Sequence, residues 1–184
     1  MTRALRVPIG LLVAAIFFGL GPARAQTSTV QPFFGSYEGT ALFDASESEN
    51  RELTAIIRPF GEDGFSVRWR TMIFKPGEEE PRGRTQVIYF TPSELFADVF
   101  AATPPEDAAG LASNVPLEGR PFAWARVAGK TLTVNVLTIS ETGDYVVQTY
   151  DRTLAGGGLK LRFVRLRNGE VEQTILGELD RIGD

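Results

Sequence analysis

Phe65-Ser66-Val67-Arg68-Trp69-Arg70-Thr71-Met72-Ile73-Phe74 alternates without a break over ten residues. Successive side chains of a strand point to opposite faces. One face therefore carries Phe65, Val67, Trp69, Thr71 and Ile73, and the other Ser66, Arg68, Arg70, Met72 and Phe74. The first reads as the inward face of a half-buried strand. Working outward, the same kind of segment recurs about every ten residues between clusters of Gly, Pro, Asn and Asp. The spacing predicts strands over Phe34–Asp44, Glu52–Pro59, Phe65–Phe74, Arg84–Thr91, Leu95–Ala101, Phe122–Val127, Thr131–Ile139, Asp144–Thr153, Leu159–Arg167 and Glu170–Asp180.

Turn chemistry supports these breaks. Glu62-Asp63-Gly64, Ala128-Gly129, Thr142-Gly143-Asp144, Gly156-Gly157-Gly158 and Asn168-Gly169 supply residues that tolerate positive φ, and Asn168-Gly169 is the strongest hairpin signal. Connections this short make successive strands neighbours, and a long meander must close or split to hide its edges. The fold expected is all-β, an antiparallel up-and-down closed barrel of eight to ten strands. Ala102–Pro121 interrupts the rhythm. There Thr103-Pro104-Pro105-Glu106 has a helix N-cap, a proline at the first helical position and an acid three residues after the cap, which predicts a short helix through Ala112. Glu78-Glu79-Glu80, between Pro76 and Pro81, lacks the alternating spacing of a calcium loop and reads as a solvated hairpin tip, as do Glu47 and Glu49.

The first twenty-five residues have the form of an export signal. Arg3 and Arg6 form a basic start, Leu11 to Leu20 an apolar run, and Ala23-Arg24-Ala25 a small-x-small cleavage site. The apolar run is about half of the ~20 residues that span a bilayer. Gln26, standing where a lipoprotein needs cysteine, excludes lipid attachment. The expectation is cleavage near Ala25 and a single domain over residues 26–184, in the periplasm or secreted, with no membrane span.

Composition narrows the chemistry. The signal takes Arg3, Arg6 and Arg24, leaving 16 of the 19 basic residues against 23 acidic ones. That balance argues against nucleic acid and against anionic membrane surfaces as partners. Cysteine is absent, so neither disulfides nor thiol chemistry is available. Histidine is absent too, which removes the usual parts of serine triads, imidazole acid-base catalysis and zinc sites. No metal and no cofactor are expected. An enzyme would have to rely on paired carboxylates, and Asp151, with its apolar and aromatic neighbours, is the first acid to test.

Aromatics and arginines point elsewhere. Phe122, Trp124 and Arg126 share one face of their strand, while Val146, Gln148, Tyr150 and Arg152 share one face of theirs. An inward arginine beside Trp or Tyr suits a carboxylate-bearing apolar ligand: the rings supply burial and the guanidinium a bidentate contact. Alternatively, the arginines stand in solvent and the tryptophans fill the core. The ligand-binding candidates are Tyr37, Trp69, Trp124, Arg126, Tyr150 and Arg152.

The first strand opens with Phe34-Gly35-Ser36-Tyr37-Glu38-Gly39-Thr40, which resembles the G-x-W-x-G opening of the calycin barrels: lipocalins, fatty-acid-binding proteins and nitrobindin-like haem barrels. Tyrosine stands here where those families place tryptophan. The resemblance implies that this aromatic plugs the closed end beneath an arginine from a late strand, with Arg165 and Arg181 both available. It also implies an interior for a small apolar ligand. The haem route of the nitrobindin-like members needs a histidine that this chain lacks.

Two other readings stay open, an envelope module that binds another protein and a carboxylate enzyme. An outer-membrane barrel fits poorly, since charges such as Glu52 and Arg58, or Lys160 and Arg162, recur along its strands and the chain ends Arg-Ile-Gly-Asp rather than in an aromatic.

Overall fold

Alternation over ten consecutive segments produces what the period demands, a sheet rolled until its first and last strands pair. The computed structural model describes residues 30–42, 50–74, 77, 80–96, 98–103 and 121–184. The expected export signal, Glu47, Glu49, Glu78, Glu79 and the helix predicted from Thr103 to Ala112, beyond Thr103 itself, lie outside those residues.

A 3-10 turn, Gln31–Phe33, precedes ten strands: β1 Gly35–Leu42, β2 Asn50–Phe60, β3 Gly64–Phe74, β4 Arg82–Pro92, β5 Val99–Ala102, β6 Phe122–Ala128, β7 Thr131–Ile139, β8 Tyr145–Ala155, β9 Gly158–Arg167 and β10 Glu170–Gly183. Each is antiparallel to its successor, and β1 pairs with β10 to close the barrel. Among the described residues no helix is long and apolar enough to cross a membrane.

All ten predicted strands form, and β7 has the predicted bounds. The one large shift is β5, which starts at Val99 rather than Leu95. The Ser93 hydroxyl accepts from the Leu95 and Phe96 backbone N–H groups at 3.2 and 3.3 Å, holding them in a turn with both side chains exposed. At the β9–β10 hairpin Asn168 takes φ 50°, as the Asn-Gly signal requires.

Odd-numbered strands run from the end that carries the 3-10 turn toward the opposite end, here called the mouth, and even-numbered strands return. The turn end is solid. Phe65 stacks on Phe90 and meets Phe100 edge-on, both at 5.0 Å between ring centres, and Ile57, Val67, Leu132 and Val134 are fully buried around them. Small inward residues, Ala123 and Ala125 on β6, make room for those rings.

The plug implied by the calycin resemblance is present. Tyr37 is 1% exposed, and its hydroxyl donates to the Phe33 carbonyl at 2.9 Å. Between the two candidate arginines the structure selects Arg181. Its guanidinium carbon lies 5.1 Å from the Tyr37 ring centre, and its Nη1 and Nη2 donate to the Phe34 and Pro32 carbonyls at 2.6 and 2.9 Å. Burial pushes the Tyr37 hydroxyl's pKa up, with Arg181 acting against it. Arg181→Met removes two charge-assisted bonds to backbone and is expected to cost about 2 kcal/mol in urea denaturation. Ligand binding at the far end should stay within about twofold of wild type.

Candidate functional site

Mouthward of the solid half the barrel is hollow, with a cavity of about 400 Å³. Its walls differ in chemistry because the inward-facing alternate residues differ by strand. From β1, β2, β9 and β10 come Ala41, Leu53, Leu159, Leu161, Ile175 and Leu179, an apolar wall. From β3 and β8 come Trp69, Gln148, Tyr150 and Arg152. Nearer the mouth the inward positions turn basic, with Arg51 on β2, Arg82 and Arg84 on β4, and Arg165 on β9. Among the described residues that line the cavity there is no Asp or Glu.

The floor is an aromatic cluster around one cation. Trp69 reaches across from β3 to Tyr150 on β8, 5.1 Å between ring centres, and Tyr150 meets Phe163 at 4.8 Å. Arg152 sits between the two rings, its guanidinium carbon 5.5 Å from Trp69 and 5.4 Å from Tyr150. It is 3% exposed, the one charged residue in the core among the described residues, and its Nη1 is buried without a hydrogen-bond partner. Cation–π contact with two rings offsets part of the cost of burial. It supplies no counter-charge, and a buried cation ordinarily has one. Burial accordingly brings the Arg152 pKa down to about 10, with Tyr150 and Asp151 acting the other way. The residue stays a cation at neutral pH.

Tyr150 donates its hydroxyl proton to Gln148 Oε1 at 2.8 Å. Burial raises its pKa, and Arg152, Arg84 and Arg165 pull it down. Arg165 Nε lies 3.0 Å from a Glu172 oxygen, off the hydrogen-bonding direction. Glu172 is shared with Arg167, which donates to it.

Of the six candidates, Trp69, Tyr150 and Arg152 meet at this floor. Tyr37 does not line the cavity, because its hydroxyl and ring are consumed by the plug. Trp124 and Arg126 do not line it either. On β6 the inward positions are Ala123, Ala125 and Val127, which fit against the rings of Phe65 and Phe100, so the larger residues face out. There the rings of Phe122 and Trp124 meet at a tilt, 5.5 Å between centres. Asp151 also faces out, accepting from Thr133 Oγ1 at 2.7 Å and pairing with Arg162 at 3.3 Å. As a structural ion pair it is not positioned for catalysis inside the barrel.

Sequence reasoning placed none of the mouthward arginines in the cavity lining, and named Arg165 only for the plug. A signal was present: Arg82-x-Arg84-x-Gln86-x-Ile88-x-Phe90 keeps one parity through β4, and the buried Phe90 assigns that parity to the interior. No protein-family model matches this chain, and no curated protein matches it in sequence.

Proposed function

We propose that this protein is an exported, non-enzymatic carrier of the calycin type that holds an amphipathic organic anion inside the barrel. One observation carries the reading: Arg152 is a buried cation facing a cavity with no acid among its described lining residues, and one of its N–H groups is unmet. An acidic group at that position supplies the missing charge and a bidentate acceptor. The apolar part of the molecule then lies against Leu53, Leu159, Leu161, Ile175 and Leu179. A few convergent polar groups in an otherwise apolar, pre-formed pocket are the ordinary design of a small-molecule site. Tyr37 and Arg181 support the family likeness, and the Met1–Ala25 signal supports the periplasm as its place.

The two tryptophans allow a clean test. Trp124 lies outside the cavity, so Trp124→Phe leaves Trp69, in contact with Arg152, as the only tryptophan reporter. Titrating this variant with dodecanoate is expected to change Trp69 fluorescence saturably, with a Kd of micromolar order, about −8 kcal/mol. No saturable change, in a variant whose circular dichroism matches wild type, would refute the carrier reading.

A further inference from the structure

The kind of acidic group is written in what surrounds the floor. Climbing from Arg152 toward the mouth, the next inward residue on β8 is Tyr150 and the one after it Gln148, which pairs in register with Arg165 of β9. Across the lumen Trp69 pairs with Gln86 and Thr71 with Arg84, so Arg84 stands one inward step mouthward of the Trp69–Tyr150 contact. Arg152 flanks that contact from below, while Arg84 and Arg165 flank it from above on opposite walls. All three line the cavity.

Counting charges decides the head group. Among the described residues neither Arg152 nor Arg84 has a carboxylate partner, and the acid that touches Arg165 is shared with Arg167. A carboxylate brings one negative charge and two oxygens, which a single guanidinium fork already uses. A phosphate monoester brings three terminal oxygens and close to two charges at neutral pH. We propose that the cavity is built for a phosphoryl head group held among Arg152, Arg84 and Arg165, with the apolar tail on the β1–β2–β9–β10 wall. This rests on the carrier reading above and narrows it to one class of ligand.

Isothermal titration of the purified protein with dodecyl phosphate, dodecanoate and inorganic phosphate tests it. Dodecyl phosphate is expected to bind at least about tenfold more tightly than dodecanoate near pH 7.5. That preference should shrink near pH 5.5, as the phosphate loses its second charge with a pKa of about 6. The groups facing the head are Arg84, Arg152, Arg165, Tyr150 and, behind Arg165, Glu172, and the chain has no histidine. The pH dependence is therefore assigned to the second ionisation of the ligand's phosphate. Arg84→Met and Arg165→Met should each cut dodecyl phosphate affinity about tenfold and leave dodecanoate within about twofold.

Equal affinity for the two amphiphiles, unaltered in Arg84→Met and Arg165→Met, would overturn the phosphoryl assignment and leave the carrier standing. Failure of both amphiphiles to bind wild type would overturn the carrier itself. Inorganic phosphate binding as tightly as dodecyl phosphate would identify free phosphate as the source and contradict the tail on the apolar wall.

Discussion

Arg152→Met is expected to make the ligand-free protein more stable, by about 1–3 kcal/mol, and to abolish binding of an amphipathic anion. The guanidinium is buried with no carboxylate partner among the described residues, and burial, which disfavours the charged form, holds its pKa down at about 10. Methionine is similarly long, apolar and flexible enough to fill the same space between Trp69, Tyr150, Leu132 and Leu161. For a chain of this size the gain is a rise in Tm of roughly 3–10 °C. Arg152→Lys, which keeps the charge and loses the fork, should weaken binding without stabilising the fold.

The pH dependence has a definite sign. A base whose folded-state pKa is depressed destabilises the fold fully below that value. Above about pH 10 the unfolded chain holds the proton more often than the folded one, so stability from this group rises with pH there. The gap between Arg152→Met and wild type should therefore be constant from about pH 6 to about pH 9 and narrow only above that. Ligand reverses the order, since saturation at about one thousand times Kd adds about 4.1 kcal/mol to wild type and nothing to the variant. A variant less stable than ligand-free wild type would mean that the guanidinium holds the barrel together rather than waiting for an anion.

Gly39→Ala is expected to cost at least about 3 kcal/mol, because it acts on the seam that closes the barrel. A Cβ at Gly39 would lie 1.8 Å from the Glu178 carbonyl oxygen and 2.8 Å from the Leu179 Cα. Both are backbone atoms of β10, and Gly39 pairs in register with Leu179. No rotamer relieves such a clash, so β1 must move off β10 and expose two strand edges. Gly183→Ala, where nothing lies within 4 Å of the added carbon, is the control and should change stability by less than about 0.5 kcal/mol. Urea midpoints read both. Equal midpoints would show that the seam accommodates a side chain and that closure does not depend on this glycine.

The strand plan was legible because period-two alternation and turn residues are local signals. β7 between Ala128-Gly129 and Thr142-Gly143 needed nothing else. β5 was misread at its start because Leu95-Phe96 are apolar and the Ser93 hydroxyl that holds them in a turn leaves no mark on hydrophobic period. The site was half legible for a related reason. Alternation groups residues by face without saying which face is inward, and on β6 both faces carry apolar side chains. The inward side was settled by volume: Phe65, Phe90 and Phe100 crowd the lumen, so β6 presents Ala123 and Ala125 and turns Trp124 out. On β8 the rule worked because Tyr150 and Arg152 share parity with Val146 and the opposite face carries Asp151, which finds Thr133 and Arg162 outside. The meeting of Arg84 and Arg165 with Arg152 depends on register across strands far apart in sequence, which no local pattern reports.

Native mass spectrometry of the protein and of Arg152→Met, each purified gently from the cells that make it and then denatured to release bound molecules, tests the central claim most directly. Wild type should carry one acidic amphiphile per chain, released on denaturation, and Arg152→Met should carry none. A wild-type protein that emerges empty and still fails to take up dodecyl phosphate or dodecanoate would contradict the account.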